Sequence, residues 1–383
     1  MNFTQPLPLS LYVHYPWCIQ KCPYCDFNSH TLGGDQEQSY LAAMIRQLEQ
    51  TLPSVWGRPI QSIFFGGGTP SLISEQGLDS FLSQLRALLG FSPDIEITLE
   101  ANPGTVDFKK FEGFRQAGVN RLSMGIQSFN DDKLRALGRI HSSEEAYRAV
   151  EAAKAAGFDN FNLDLMFALP NQTLEEAISD VETAITLAPP HLSHYQLTLE
   201  PNTPFYKNPP VLPEEDLAWE MQLACQSLLR EKGYHHYEVS AYAQNRHECT
   251  HNLNYWQFGD YIGLGAGAHG KITDAPQGKI WRTQMPASPG GYVQMINDGK
   301  LGKTSEVTEV DAVFEFMLNA LRLQDGIPLE YFVLRTGLSL QNIMPSIDKL
   351  VQQQWLLPDQ EQLKLTSEGQ RFLNDVLQEF LIS

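Results

Sequence analysis

Short apolar runs alternate with longer amphipathic stretches over the first two hundred residues. The runs are SLYVHYP (10–16), SIFFGGG (62–68), IEITLEANP (95–103), RLSMGIQ (121–127), FNLDLMFALP (161–170) and SHYQLTLEP (193–201). Each has the length and bounding turn signals of a strand. The stretches 74–89, 107–117, 143–156 and 173–187 between them have helical spacing. A further helix is expected from Asp35, with Leu41, Met44, Ile45, Leu48 and Leu52 on one face. This serial βα order implies a largely parallel sheet flanked by helices. In the first run Tyr12 and His14 alternate with Leu11, Val13 and Tyr15. A polar-tipped face suits a barrel lumen around a ligand better than a flat sheet buried on both sides. Nearly every run ends in a polar or Gly-rich turn, where barrel proteins carry their chemistry. The expectation is an α/β fold, a partial (β/α)6 TIM-like barrel.

The pattern breaks near residue 290. SPGGY (288–292) interrupts it, and NDGKLGKTSE (297–306) reads as a linker. Residues 306–383 read as mainly helical, with a short strand pair around 355–365 and a final helix, like a winged-helix module. The expected division is therefore 1–290, a barrel with an extension that carries HNLNYW (251–256), and 306–383, a mainly helical winged-helix-like domain.

Charge narrows the function. The chain of 383 residues carries a net charge of −18, and its pI is near 4.9. Residues 306–383 hold twelve acidic side chains against five basic ones. Such a surface repels phosphate backbones, so no nucleic-acid partner is expected. MNFTQPLPLS lacks the basic and apolar segments of a signal peptide, and no run approaches the roughly 18–20 apolar residues of a membrane span. The five cysteines are clustered rather than paired, which favours a reducing compartment, by default the cytoplasm.

Three of those cysteines, Cys18, Cys22 and Cys25, lie in PWCIQKCPYCDFNSH (16–30) with the spacing C-x3-C-x2-C. A structural zinc site needs four ligands, and Cys225 and Cys249 form no second pair, although a histidine could complete a Cys3His site. A redox reading of CPYC leaves Cys18 without a role. A cubane [4Fe–4S] cluster held by three thiolates leaves one iron open to a chelating small molecule. Elsewhere, GGGTP (66–70) is either a tight turn or a place where backbone nears a ligand at Gly67, Gly68 and Thr69. Glu100, Gln127, Arg139 and Asp164 are polar residues on or just after apolar strands. Burying one such group without a partner costs about 1–3 kcal/mol, so four at equivalent strand ends suggest a shared ligand. A carboxylate suits an ammonium or ribose hydroxyls, and the planar fork of Arg139 suits a carboxylate.

The cysteine spacing after the first strand, with Tyr24 just before the last cysteine, resembles the radical S-adenosylmethionine (SAM) superfamily. CPYCDF, GGGTP, LEANP, SMGIQSF and DLMFALP resemble its oxygen-independent coproporphyrinogen III oxidase-like branch, over nearly the whole chain. The resemblance implies a radical SAM barrel with a [4Fe–4S] cluster on Cys18, Cys22 and Cys25 and SAM at the open iron. It further implies SAM contacts at Tyr12, Tyr24, Gly67, Gly68, Thr69, Glu100, Gln127, Arg139 and Asp164. In that superfamily the reduced cluster cleaves SAM to a 5′-deoxyadenosyl radical.

The branch contains both oxidases and heme chaperones. The oxidases carry a fourth cysteine two residues past the third, where this chain has Phe27, and a longer segment before the cluster motif. The chaperones keep three cysteines followed by DF and, further on, HNxxY. This chain has HNLNYWQFGDYIGLGAGAHGK at 251–271. That resemblance implies heme binding at His251, Asn252 and Tyr255. Histidine is a common heme ligand, and Tyr255 and Trp256 offer flat apolar surface, though the same residues would also serve as loop hydrogen-bonders and core. The expected function is a heme chaperone that passes heme to acceptor proteins, with no catalytic residue assigned. The alternative is a radical SAM enzyme acting on a porphyrin. A homodimer is among the states the sequence allows.

Overall fold

The computed structural model describes residues 1–32, 36–244, 246–359 and 361–381. Among them, twelve strands form one sheet. Six run in parallel in chain order: β1 (Leu9–Tyr15), β2 (Ile60–Gly67), β3 (Phe91–Ala101), β4 (Arg121–Gln127), β5 (Phe161–Phe167) and β6 (His191–Gln196). The longer helices between them are Glu37–Thr51, Glu75–Leu88, Phe108–Ala117, Ser143–Ala155 and Leu174–Thr186, close to the expected spans. The expected start at Asp35 lies outside the described residues. Side-chain caps set several starts. Ser74 accepts from the Gly77 N–H, and Ser142 with Glu145 and Thr173 with Glu176 form capping boxes.

Alternation along these strands sorts the residues into two faces. Leu11, Val13, Ile63, Phe65, Ile97, Leu99, Leu122, Met124, Leu163, Leu165 and Leu192 enter the main hydrophobic core. Tyr12 pairs with Phe64, Phe64 with Thr98, Thr98 with Arg121, Ser123 with Asn162, and Asp164 with Ser193, so a mostly polar row crosses the other face. Residues from five of these strands line one cavity, so the sheet curves around that polar face as the alternation in β1 predicts.

The sheet does not close. β7 (His235–Glu238) and β8 (Ala241–Ala243) extend it antiparallel beyond β6. On the other side β9 (Asp260–Leu264) lies parallel to β1, followed by β10 (His269–Asp274), β11 (Lys279–Gln284) and β12 (Lys303–Val307). The segment expected as a linker at 297–306 therefore ends in an edge strand. In KTSEV both faces are exposed except at Val307, so no apolar alternation marks it.

The C-terminal helices Glu309–Ala320, Glu330–Thr336 and Met344–Gln352 surround a second core that includes Phe316, Phe332, Ile343 and Leu350. The expected strand pair at 355–365 is differently made. Leu356 and Leu365 form a single bridge, and Gln362–Leu363 pairs with Ile327–Pro328. Phe258 and Ile280 belong to this second core, and Met1, Phe3, Leu253 and Trp256 pack against it. No helix among the described residues is long and apolar enough to cross a membrane.

A buried ion cluster ties β9 to β10. Asp260 Oδ1 lies 2.9 Å from Lys271 Nζ, and Oδ2 lies 2.9 Å from Arg58 Nη2. Thr273 adds two donors to the same carboxylate. Burial opposes its charge, but Lys271 and Arg58 outweigh this and hold its pKa below the ordinary value. Removing one partner of such a pair strands the other charge, so Asp260→Ala should cost about 3–5 kcal/mol in denaturant unfolding. The carboxylate's contribution is complete above the unfolded pKa of about 3.9 and disappears as the pH falls through the lower folded value. Acid titration of stability should show this loss in the wild type and not in the variant.

Candidate functional site

The three cysteines sit in a loop that leaves β1. Trp17–Cys18 pairs with His30–Thr31 and closes its base, where Trp17 packs on Tyr40 with centroids 4.7 Å apart. Inside the loop the Cys25 N–H donates to the Cys22 carbonyl at 3.1 Å. Lys21 Nζ donates to the carbonyl of Phe27 at 2.9 Å. All three thiols are free and face one cavity of about 890 Å³. Burial raises the pKa values of Cys18 and Cys25, while hydrogen bonds with Thr69 and Ser29 lower that of Cys18. Among the described residues no three His, Cys, Asp or Glu side chains converge to hold a single metal ion. A cubane makes no such demand, because each thiolate takes its own iron.

The GGGTP turn is pressed against this loop. The N–H of Gly68 donates to the Tyr15 carbonyl and that of Thr69 to the Trp17 carbonyl, both at 2.7 Å. Gly67 has φ 113°, and a Cβ there would come within 2.6 Å of the His14 ring. A Cβ on Gly68 would come within 2.6 Å of the Trp17 carbonyl oxygen. The glycines therefore set the close approach of strand end and cysteine loop, and Gly67, Gly68 and Thr69 form part of the cavity wall.

Two half-buried carboxylates face the same space. Burial, then the charge of Asp164, push Glu100 up to about 8. Burial also raises Asp164, although Asn162 Nδ2 donates to it at 2.7 Å and Ser123 Oγ at 3.3 Å. Arg139 donates to the Gly125 carbonyl at 2.7 Å and reaches Cys22 Sγ at 3.8 Å, but its buried Nε has no partner among the described residues. Gln127 closes β4 at φ 69°, a conformation a non-glycine residue rarely adopts, and accepts from Tyr195 Oη at 2.8 Å. Tyr24 supplies an aromatic wall beside Phe205.

The cavity thus joins thiols, carboxylates that form no salt bridge among the described residues, and a guanidinium that likewise forms none among them. That donor set fits a zwitterionic amino-acid ligand with hydroxyls, placed beside a thiolate-held cluster. Ser123, Asn162, Ser193 and Tyr195 were not among the expected residues. Their signal was available, since they occupy the same inward positions on β4, β5 and β6 as Gln127 and Asp164.

Tyr12 lies in an adjoining cavity of about 440 Å³, which shares Phe27, Gly67 and Glu100 with the first. The expected heme residues are divided between the two. They belong to the short helix Thr250–Trp256. Asn252 faces the cysteine cavity and Tyr255 the adjoining one. His251 is buried between them. Its Nδ1 is hydrogen-bonded to Ser62 Oγ and its Nε2 to Tyr255 Oη, both at 2.9 Å, and its ring stacks on Phe64. Burial, with the charge of Arg121, pushes it down to about 3. Neither ring nitrogen is free in this arrangement.

Comparison with known proteins follows this geometry. Residues 12–184 match the radical SAM superfamily, and residues 307–372 match the HemN C-terminal domain. The heme chaperone HemW of Haemophilus influenzae is 48% identical over 379 residues, covering 98% of each chain. HemW of Escherichia coli is 48% identical over 376 residues with 98% coverage of each, and that of Bacillus subtilis is 35% identical, covering 97% of this chain and 99% of its own. The chain belongs to the HemW family. Its α/β fold is that of the radical SAM proteins. The structure of the coproporphyrinogen III oxidase HemN from Escherichia coli superposes with a TM-score of 0.82 over 98% of this chain and 90% of its own, at 22% identity.

Two measurements test the site. After anaerobic reconstitution, Cys18→Ala, Cys22→Ala or Cys25→Ala should abolish iron and sulfide loading, whereas Cys225→Ala and Cys249→Ala should retain it. A ligand carrying an ammonium favours the ionised form of Glu100, so SAM affinity should rise with pH over the range below about 8. Glu100→Gln should weaken binding and remove that dependence in calorimetric titrations.

Proposed function

We propose that the protein is a heme chaperone of the cytoplasm. It binds heme beside a [4Fe–4S] cluster with SAM at the open iron and passes the heme to acceptor proteins. The observation that carries this reading is the pair of adjoining cavities. One has the donors for cluster and SAM. The other is walled by Tyr12, Phe27, Tyr255 and Trp256, flat apolar surface suited to a porphyrin. The high identity to heme chaperones over nearly full length supports the same conclusion. The clustered free thiols support a reducing compartment.

In this reading Cys18, Cys22 and Cys25 hold the cluster, which when bound supplies an electron to SAM. Glu100 and Asp164 take the ammonium and ribose hydroxyls, Arg139 takes the carboxylate, and Tyr24 covers the adenosine side. Gly67, Gly68 and Thr69 keep strand and loop close, and Gln127 braces Tyr195. Asn252 faces SAM from the chaperone motif, while His251 holds Tyr255 in the wall of the second cavity.

Phe27 stands where the related oxidases place a fourth cysteine, and its side chain is 60% exposed at the meeting of the two cavities. This supports a carrier rather than an oxidase. The cluster-loaded protein should bind ferric heme at one equivalent and lose it to an apo-heme protein. With SAM and reductant it should convert no coproporphyrinogen to protoporphyrinogen. Sustained formation of protoporphyrinogen would replace the carrier reading with a porphyrin-modifying enzyme.

A further inference from the structure

A chain of hydrogen bonds runs behind the cofactor cavity from β7 to β4, and strand register sets it. Ser123 pairs with Asn162, Asn162 with His191, and Asp164 with Ser193. The two oxygens of Asp164 have different donors. Asn162 Nδ2 donates to Oδ1 at 2.7 Å, and Ser123 Oγ donates to Oδ2 at 3.3 Å. The same Nδ2 donates to Ser123 Oγ at 2.8 Å, which leaves the Ser123 proton for the carboxylate. Both donors therefore depend on which way the Asn162 amide faces. Turned over, it would set its carbonyl oxygen against Asp164 and draw the Ser123 proton to itself.

His191 decides which way it faces. Its Nδ1 lies 2.7 Å from Asn162 Oδ1, which also accepts from Ser193 Oγ at 3.1 Å. An amide oxygen only accepts, so Nδ1 carries the ring proton. The other nitrogen enforces this tautomer. Nε2 lies 2.9 Å from Tyr237 Oη, and that oxygen accepts the Cys249 N–H at 3.3 Å. A backbone N–H can only donate, so the Tyr237 hydroxyl turns its own proton toward Nε2. Burial, with the charge of Arg121, holds His191 well below the ordinary histidine pKa, so the ring is neutral and has one proton to place. The polarity of the whole chain thus runs one way, from a fixed backbone donor to a carboxylate. Asn162, His191 and Tyr237 are 2%, 1% and 4% exposed, so solvent does not replace a lost member. Asp164, Ser123 and Ser193 line the cavity, whereas these three stand behind it.

Resting on the reading of Asp164 as a SAM contact, we propose that His191 is a positioning residue for SAM. It touches no ligand. It fixes the Asn162 amide so that both oxygens of Asp164 keep their donors and present their remaining lone pairs to the ribose hydroxyls.

The test is anaerobic calorimetric titration of cluster-loaded protein with SAM. Leucine at 191 keeps much of the volume without a donor, whereas asparagine is smaller but keeps an N–H at the Nδ1 position. His191→Leu should bind SAM about tenfold more weakly, and His191→Asn within about threefold of wild type. A role in packing alone would give the opposite order. The effect should also vanish once its target is gone: His191→Leu should change little in an Asp164→Ala background, where SAM is already held weakly. Iron content and melting temperature check each variant. If His191→Leu does not load its cluster, Tyr237→Phe decides, since it removes one hydroxyl and should weaken SAM about threefold. Unchanged affinity in the deciding variant would overturn the proposal while leaving the SAM site in place. So would equal losses in His191→Leu and His191→Asn, or a loss from His191→Leu that adds in full to that of Asp164→Ala. An Asp164→Ala protein that binds SAM as tightly as wild type would overturn the reading of Asp164 and the proposal together.

Discussion

Polar side chains on the concave face of six parallel strands must each find a partner, because a buried polar group left alone costs more than most single contacts return. The protein meets this demand differently at two depths. In the lower layer the partners are its own. Glu96 accepts the backbone N–H groups of Thr250 and His251, each at 3.1 Å, and so caps the helix Thr250–Trp256 within the curve of the sheet. Asn162 and Tyr237 take the two nitrogens of His191, and Ser62 and Tyr255 take those of His251. In the upper layer the demand is left open. Among the described residues Glu100 and Asp164 form no salt bridge, although the charge of Arg121 is felt at Asp164, and the Nε of Arg139 has no acceptor. The same alternation thus yields a plug below and a binding site above.

This division explains how much was legible in the sequence. β1 to β6 and their helices could be read because apolar positions recur at every second residue in strands and at every third or fourth in helices. The cysteine loop could be read from spacing alone. Glu100, Arg139 and Asp164 stood out as polar residues where apolar ones prevail. The helix Thr250–Trp256 could not be placed, because its seat under the lumen depends on Glu96, 155 residues from His251. The strands after it were hidden for a related reason. β9 and β10 bury Asp260 against Lys271, a polar pair at positions where a core strand would show apolar residues, and β12 exposes nearly all its side chains. The motif histidine was legible as a motif but not as a geometry, since spacing does not reveal that both ring nitrogens are engaged.

The two cavities meet at Phe27, Gly67 and Glu100. Gly67 is fixed by the close approach of β2 to His14, and Phe27 belongs to the cysteine loop. The partition between the cavities is therefore built from the same elements that present the thiols. Tyr12 belongs to the same arrangement. Its Oη is hydrogen-bonded to His14 Nδ1 at 3.1 Å, and His14 Nε2 is hydrogen-bonded to the Asn28 carbonyl at 2.8 Å, which links β1 to the end of the loop.

Asn28 carries that linkage further. Three residues beyond Cys25, its side-chain amide donates to the carbonyls of Ala266 and Ala287 at 3.0 and 2.9 Å. A Cβ on Gly267 would crowd the same amide at 2.4 Å. One side chain thus acts as a tie-rod between the sulfur-bearing loop and the glycine-rich wall of the neighbouring compartment. The aromatic chamber contains none of the three cysteines, yet part of its wall hangs by hydrogen bonds from the loop that carries them.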